Sequence, residues 1–268
     1  MSYLHIDELL SPIGLGSTQP CIGLANGKQV IVKFLNNQEG NKTLINELIC
    51  YEIAKKLELT IPQGGLCIID NNTKINHNVI ELTEFNEDCY GIGFYSEYIN
   101  NVTKVNGPAV IKLSSNYKWL LPRLILFDHL IFNKDRNPGN LLISMNKSDK
   151  SLYVIDHTHT FNLQCLWTGY SLKQKISDDD FKSLEILQYN SYLYKSFFSC
   201  CKIDLVSLKE EADFFKKRLN KSIFNDIMDM IPIEWESNKS ELNDLVDYLL
   251  YRLDHLDDFC YMISSFKY

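Results

Sequence analysis

The sequence has no run of eighteen or more apolar residues, so it offers no ordinary membrane-spanning helix. Its first residues, Met-Ser-Tyr-Leu-His-Ile-Asp-Glu, carry acid where a secretory signal carries positive charge, and a cytoplasmic location is expected. None of the eight cysteines (Cys21, Cys50, Cys67, Cys89, Cys165, Cys200, Cys201, Cys260) forms a Cys-x-x-Cys pair. That spacing weighs against a structural zinc site and reads as free, buried thiols in a reducing compartment. Basic residues are few: 27 Lys and Arg stand against 34 Asp and Glu, for a net charge of −7. A grip on nucleic acid dominated by phosphate neutralisation is therefore excluded. Internal repeats, low-complexity tracts, long linkers and the Gly-x-x-x-x-Gly-Lys-Ser/Thr phosphate loop are also missing. What is plentiful is apolar surface. With 45% hydrophobic and 12% aromatic residues among 268, the chain can bury a large core, as one domain or as two lobes round a cleft.

The first third is rich in strand formers and glycine. Gly14, Gly16, Gly23 and Gly27 punctuate residues 11–27, and Gln29-Val-Ile-Val-Lys-Phe-Leu35 then reads as a strand. Alternation puts Ile31, Lys33 and Leu35 on one face and Val30, Val32 and Phe34 on the other. A helix is expected from about Thr43, its cap, to Leu59, with Ile61-Pro62 ending it. Leu66–Asp70 and Gly93–Ile99 read as further strands. The remainder is mainly helical. Leu121–Phe132 forms a buried helix with Pro122 in its first turn, followed by a polar loop, Asn133–Asn140. A hairpin through Leu141–Ser144 and Leu152–Asp156 comes next, then helices over 178–188, 204–219, 221–230 and 239–263. The fold class is α+β, a small β-rich lobe before a larger helical one, with the boundary at the composition shift near residue 100: 1–99 and 100–268.

The most informative stretch is Asn133-Lys-Asp-Arg-Asn-Pro-Gly-Asn140 with Ile155-Asp156-His157. Asp135 and Asn140 lie five positions apart, and Asp156 arrives across a hairpin that folds back towards the loop. Two carboxylates and one amide oxygen converging at one place suit phosphoryl transfer. One carboxylate orients the acceptor hydroxyl and takes its proton. The other, with the amide, holds Mg²⁺ against the phosphates of ATP. The Asp-x-x-x-x-Asn spacing followed by a hairpin and a second Asp is that of protein kinases. An Asn-Pro-Gly surface turn is the plain alternative for the loop alone.

The N-terminal half adds a lysine at mid-strand. Lys33 is costly on a buried face unless paired. Glu47, fourteen residues on in the next helix, is a partner of the kind that positions ATP phosphates in kinases. Gly14–Pro20 offers backbone N–H groups to phosphate, with Gly16, Ser17 and Thr18 at its centre. Glu97 and Ile99 fall where a strand crosses between lobes, and their backbone is a candidate for adenine.

These segments resemble the HipA-like kinase family, in particular its short stand-alone members. Gly16-Ser-Thr-Gln-Pro20, Val30-Ile-Val-Lys33-Phe, Asn46-Glu47-Leu, Phe94-Tyr-Ser-Glu-Tyr98, Phe127–Asn140 and Ile155-Asp156-His-Thr-His carry the resemblance across most of residues 10–160. It implies a fold similar to protein and phosphoinositide kinases, ATP and Mg²⁺ as cofactors, and Ser or Thr hydroxyls of a protein as acceptor. By motif, Asp135 is the catalytic aspartate, Asn140 and Asp156 the metal ligands, and Lys33 a contact to the phosphates. An antitoxin-like or regulatory protein partner and autophosphorylation at Ser17 or Thr18 are implied in the same way. The chain departs from the family at Asn137-Pro-Gly139, where His-x-Lys is usual and could supply a cation. A small-molecule or lipid head-group kinase and a nucleotide-binding pseudokinase are the alternatives.

Other features carry weaker expectations. His157 and His159 alternate on an extended segment, which would place both on one face as a metal pair; a hydrogen-bonded histidine that steadies the loop is the reading preferred to it. Asp178–Asp180 reads as a solvent-facing helix start, and Tyr189–Phe198 as core.

Overall fold

The computed structural model describes residues 3–14, 18–148 and 150–267. Short β-branched runs and tight turns set the first half. Strands β1 (Leu4–His5), β2 (Glu8–Pro12), β3 (Cys21–Ala25) and β4 (Lys28–Lys33) precede helix α1 (Lys42–Lys56). Strands β5 (Gly64–Ile69) and β6 (Lys74–Ile75), helix α2 (His77–Leu82) and strand β7 (Gly91–Glu97) follow. Asn26 and Gly27 join β3 to β4, both at positive φ (51° and 73°), as a two-residue hairpin loop requires. The seven strands form one sheet in the order β1-β5-β7-β4-β3-β2-β6. Strand β4 is central, antiparallel to both β3 and β7. Val30, Val32 and Phe34 face a small core with Ile6, Leu9 and Val79. Ile31 and Lys33 face the opposite way, into the cleft.

The second half begins with strand β8 (Val102–Lys104), helix α3 (Pro108–Ile111) and helix α4 (Tyr117–Leu130). Strands β9 (Leu141–Ser144) and β10 (Leu152–Val154) pair antiparallel, and β8 joins β9 to complete a three-stranded sheet. Helices α5 (Gly169–Ser177), α6 (Glu185–Tyr189), α7 (Ser191–Cys200), α8 (Leu205–Arg218), α9 (Lys221–Met228), α10 (Lys239–Asp254) and α11 (Leu256–Ser265) build the helical lobe. Among the described residues no helix is long and apolar enough to cross a membrane.

Helix α1 lies between sheet and helices and is buried nearly all round, which is why its apolar residues show little one-sided periodicity. Trp235, in the short turn Ile233–Trp235, donates from Nε1 to Ile92 O of β7 at 2.8 Å and fastens the late helices to the sheet.

Several sequence expectations are corrected. Thr43 is inside α1 and not its cap; its hydroxyl donates to Gly40 O at 2.8 Å and accepts from Asn37 Nδ2 at 2.9 Å. Helix α1 ends at Lys56, well before Ile61-Pro62, which line the cleft. Helix α4 starts earlier than expected, so Pro122 sits in its second turn. Pro122 has no N–H to give the carbonyl four residues back, that of Lys118, an exposed residue. Residues 178–188 divide between a 3₁₀ turn (Asp180–Lys182) and α6, and the last helix breaks at His255. Asp180 does not face solvent: it is 7% exposed and pairs at 3.1 Å with buried Arg252, whose charge needs it there. Within 189–198, Leu193, Tyr194 and Phe197 are core, but Tyr189 and Tyr192 are 69% and 63% exposed.

Candidate active site

Beneath the polar loop lies a dry ion pair. Asp128 closes the apolar run of α4, and Arg136 follows Asp135 in the loop. Arg136 Nη2 meets Asp128 Oδ1 at 2.8 Å, with both side chains 0% exposed. Tyr194 Oη and Asn133 Nδ2 donate to the same carboxylate at 3.0 and 3.1 Å. Arg136 also donates from Nη1 to Asn140 O (3.3 Å) and Ile155 O (3.1 Å). One guanidinium thus holds the segments that carry Asp135, Asn140 and Asp156. Neither Asp128 nor Arg136 was picked out from sequence. The signal was present: a lone acid inside Leu-Ile-Leu-Phe-Asp-His-Leu-Ile-Phe demands a buried cation.

Above this scaffold sits a second, wetter cluster. Lys33 Nζ donates to Glu47 Oε1, to Asp156 Oδ1 (3.0 Å) and to Thr158 Oγ1 (2.8 Å). The His157 N–H donates to the same Glu47 oxygen at 3.0 Å. The Thr158 hydroxyl lies 3.1 Å from Glu47 Oε1 and 2.9 Å from Asp156 Oδ1, and gives its one proton to either. Burial alone pushes the Lys33 ammonium down, but Asp156 and Glu47 outweigh it and hold it above its ordinary range. Desolvation likewise pushes Asp156 up, and Lys33 reverses it to well below the usual carboxylate range. Burial pushes Glu47 upward against the pull of Lys33. With three donors aimed at one oxygen, the ionised pair is the state this geometry serves. Asp156 adopts φ +58°, a left-handed conformation that Asp tolerates better than most residues. Its side chain remains 44% exposed to the cleft.

Asp135 stands across from this cluster. Its N–H donates to Asn133 Oδ1 at 2.8 Å. Asn137 spans the loop, donating from Nδ2 to Asp135 Oδ1 (3.0 Å) and accepting from the Gly139 N–H (2.8 Å). Asn140 donates from Nδ2 to Asp135 O at 2.7 Å, which leaves its amide oxygen without a partner among the described residues. His159 Nδ1 lies 3.6 Å from Asp135 Oδ2, and its Nε2 lies 2.8 Å from Glu39 Oε2. Pairing with Asp135, then with Glu39, raises His159 to about 9 in spite of burial. Partial burial acts to raise Asp135, yet His159 and Asn137 bring it below its ordinary value. His157 and His159 do not share a face. His157 is buried edge-on to Phe127, ring centroids 5.5 Å apart, whereas His159 looks into the cleft, because the chain after Asp156 turns instead of continuing as a strand.

The cleft measures about 910 Å³, within the range of small-ligand sites. It gathers Thr18, Lys33, Glu47, Glu97, Ile99, Asp135, Asn140 and Asp156. Thr18 is 4% exposed at its edge, while Gly16 and Ser17 lie outside the described residues. Glu97 gives its N–H to Gln63 O at 2.6 Å, so of its backbone only the carbonyl can serve a ligand.

Sheet, helical lobe and the cluster between them define a two-lobed kinase-like fold. A family model described as HipA-like kinase matches residues 6–259, and the chain belongs to that family. No curated protein sequence matches it. Among solved structures it is similar to a Helicobacter pylori proinflammatory kinase, CtkA, at 14% identity and TM-score 0.59, with 100% of each chain covered. It is also similar to the HipA of Shewanella oneidensis, solved with HipB and operator DNA, at 10% identity and TM-score 0.43. That match covers 96% of this chain and 68% of the other. The choline kinase LicA of Streptococcus pneumoniae follows at 17% identity and TM-score 0.32, covering 92% and 94%. The fold assignment rests on the first of these.

Proposed function

We propose that the chain is a Mg²⁺-dependent kinase that transfers the γ-phosphoryl group of ATP to a hydroxyl, with Ser or Thr of a protein as the acceptor. ATP would lie between an N-lobe of residues 1–99 and a C-lobe of residues 100–268. The observation that carries this reading is the three-way junction at Lys33. One ammonium joins Glu47 of α1 to Asp156 beyond β10, in the cleft that also holds Asp135 and Asn140.

Each residue has a role that its surroundings support. Lys33, kept charged, is the contact for the phosphates, and Glu47 fixes where its ammonium points. Asn140, whose nitrogen is spent on Asp135, has an oxygen to give a hard cation. Asp156 has an exposed, ionised carboxylate beside it, so this donor set suits Mg²⁺. Bound there, Mg²⁺ supplies charge neutralisation at the phosphate oxygens. Asp135, held ionised by Asn137 and His159, accepts the proton of the incoming hydroxyl. Asn137 supplies no cation; it braces Asp135 instead. Ile99 N–H and the Glu97 carbonyl are the backbone groups for adenine, and Thr18, which lines the cleft, is a contact for the phosphates. A regulatory protein of the antitoxin kind is the proposed partner, and the cytoplasm the proposed location.

The test is ATP turnover by the full chain with and without Mg²⁺, followed by transfer of label from [γ-³²P]ATP into a cell lysate. Mg²⁺-dependent turnover with label in protein is expected. Label in metabolites alone would reassign the acceptor to a small molecule. Absence of turnover, with nucleotide binding intact, would make the chain a nucleotide-gated binding module.

A further inference from the structure

We propose that Glu39, His159 and Cys165 form a site for a thiophilic divalent cation of the zinc class, separate from the Asn140–Asp156 pair. A carboxylate oxygen, an imidazole nitrogen and a thiol sulfur from these residues all lie within 4.8 Å of one another. Among the described residues no other group of three His, Cys, Asp or Glu side chains meets that spacing. Glu39 Oε2 and His159 Nε2 are already 2.8 Å apart. Ligand atoms round a tetrahedral zinc, with bonds of about 2.0–2.3 Å, lie roughly 3.3–3.8 Å apart. The remaining gap, about an ångström, is within reach of side-chain rotation.

The three ligands come from separate segments held to one another. Glu39 lies in the turn before α1, His159 in the loop after β10, and Cys165 in the short turn Gln164–Leu166. Phe161, Asn162 and Gln164 have φ of 59°, 67° and 58°, and this reversal brings position 165 back towards position 159. Buried Asn46 of α1 clamps both ends of the reversal. It donates from Nδ2 to Thr158 O (2.7 Å) and Gln164 O (3.1 Å), and its Oδ1 accepts from Trp167 Nε1 (2.9 Å). The nearby cation, Lys42, is turned away over the Trp167 ring and paired with Glu241 at 3.1 Å. All three ligand residues are half-buried, so none is sealed from solvent, and His159 also lines the cleft.

The donor set selects the metal. Thiolate and imidazole suit zinc, whereas Mg²⁺ prefers oxygen throughout. Three protein ligands leave a fourth position for water. Binding releases the Cys165 thiol proton and, at neutral pH, the His159 ring proton to solvent, and replaces the Glu39–His159 hydrogen bond by two bonds to the metal.

Co²⁺ reports such a site directly, through a sulfur-to-cobalt charge-transfer band. Titration of the full chain with CoCl₂, free of Mg²⁺ and nucleotide, is expected to saturate that band at one equivalent. Zn²⁺ should then bleach it. Cys165→Ser should abolish the band, and a Cys200→Ser/Cys201→Ser double variant should keep it. Glu39→Gln should weaken Zn²⁺ binding by ~10-fold or more. No band at stoichiometric Co²⁺, or a band that survives Cys165→Ser, overturns the proposal. None of these readouts needs ATP turnover, so the site and the kinase reading fail separately.

Discussion

Two clusters of charge lie one above the other in this protein, and they are built differently. The Asp128–Arg136 pair is wholly dry, and its remaining hydrogen bonds close within the scaffold, on Tyr194, Asn133, Asn140 O and Ile155 O. The Lys33–Glu47–Asp156 junction is dry at one end and open at the other. Glu47 is 6% exposed and Asp156 44%. A charge sealed in low dielectric has one good state and resists change, so the first cluster can only hold geometry. An open carboxylate can exchange one cationic partner for another, so the second can bind and release. Position and reactivity are thus assigned to different ion pairs, only one residue apart where Ile155, held by Arg136, meets Asp156.

Breaking the lower pair is expected to give the largest effect on stability. Arg136→Met leaves Asp128 buried and uncompensated, at a cost of about 3–5 kcal/mol. Urea denaturation would measure it, and Arg136→Met/Asp128→Leu should recover part of the loss. A single variant within about 1 kcal/mol of wild type would show that the pair is not the scaffold described. Asp135→Asn should behave in the opposite sense. It keeps the shape of the side chain and its place over the loop and loses only the part-exposed pairing with His159, so the urea midpoint should move far less than in Arg136→Met. Turnover should fall ~10²–10⁴-fold. Comparable losses of stability and activity in both variants would erase the distinction between the dry scaffold and the open site above it.

That distinction was only half legible in the sequence. Lys33, Glu47, Asp135, Asn140 and Asp156 could be read because their chemistry is tied to chain order and spacing, and one cleft does gather them. The alternation at Val30–Phe34 was readable because a central strand buries one face and lines a site with the other. Arg136 and Asp128 were harder. A buried ion pair closes through space, eight positions apart, and neither residue has a periodicity to betray it. His159 was undervalued for a similar reason. Simple alternation assumed a straight strand, whereas the left-handed turn at Asp156 breaks it, with His157 buried and His159 at the cleft. Asp180 was misread because its partner, Arg252, lies seventy-two residues away. Asn26-Gly27 shows the other extreme, a turn fixed by two adjacent residues with nothing distant required.

A smaller effect is expected where backbone packing alone positions Lys33. A Cβ at Gly93 would lie 2.6 Å from the Lys33 carbonyl oxygen, so Gly93→Ala must push β7 away from β4. Overpacking of that kind costs about 1–3 kcal/mol. Because β4, which carries the cleft lysine, must move apart from β7, the KM for ATP should rise more than kcat falls. A normal KM would mean that the junction tolerates a shifted β4.

The smallest effect concerns His159, which touches Asp135 from the open side. Its folded-state value of about 9 lies above the ordinary histidine value of about 6.5. The imidazolium therefore stabilises the fold fully below about pH 6.5, and the contribution is lost as pH rises towards 9. Between about pH 7 and 8.5, wild-type stability should decline; below that window the buried neutral His129 and His157, both held below the ordinary histidine value, add a slope of opposite sign. The window stops at about 8.5 because unfolded thiols ionise beyond it and buried ones such as Cys21, pushed up to about 12, add a slope of the same sign. His159→Gln should flatten the decline without changing the urea dependence at fixed pH. If the variant follows the wild-type slope, His159 is not held charged between Glu39 and Asp135, and the bracing of the Asp135 carboxylate falls to Asn137 alone.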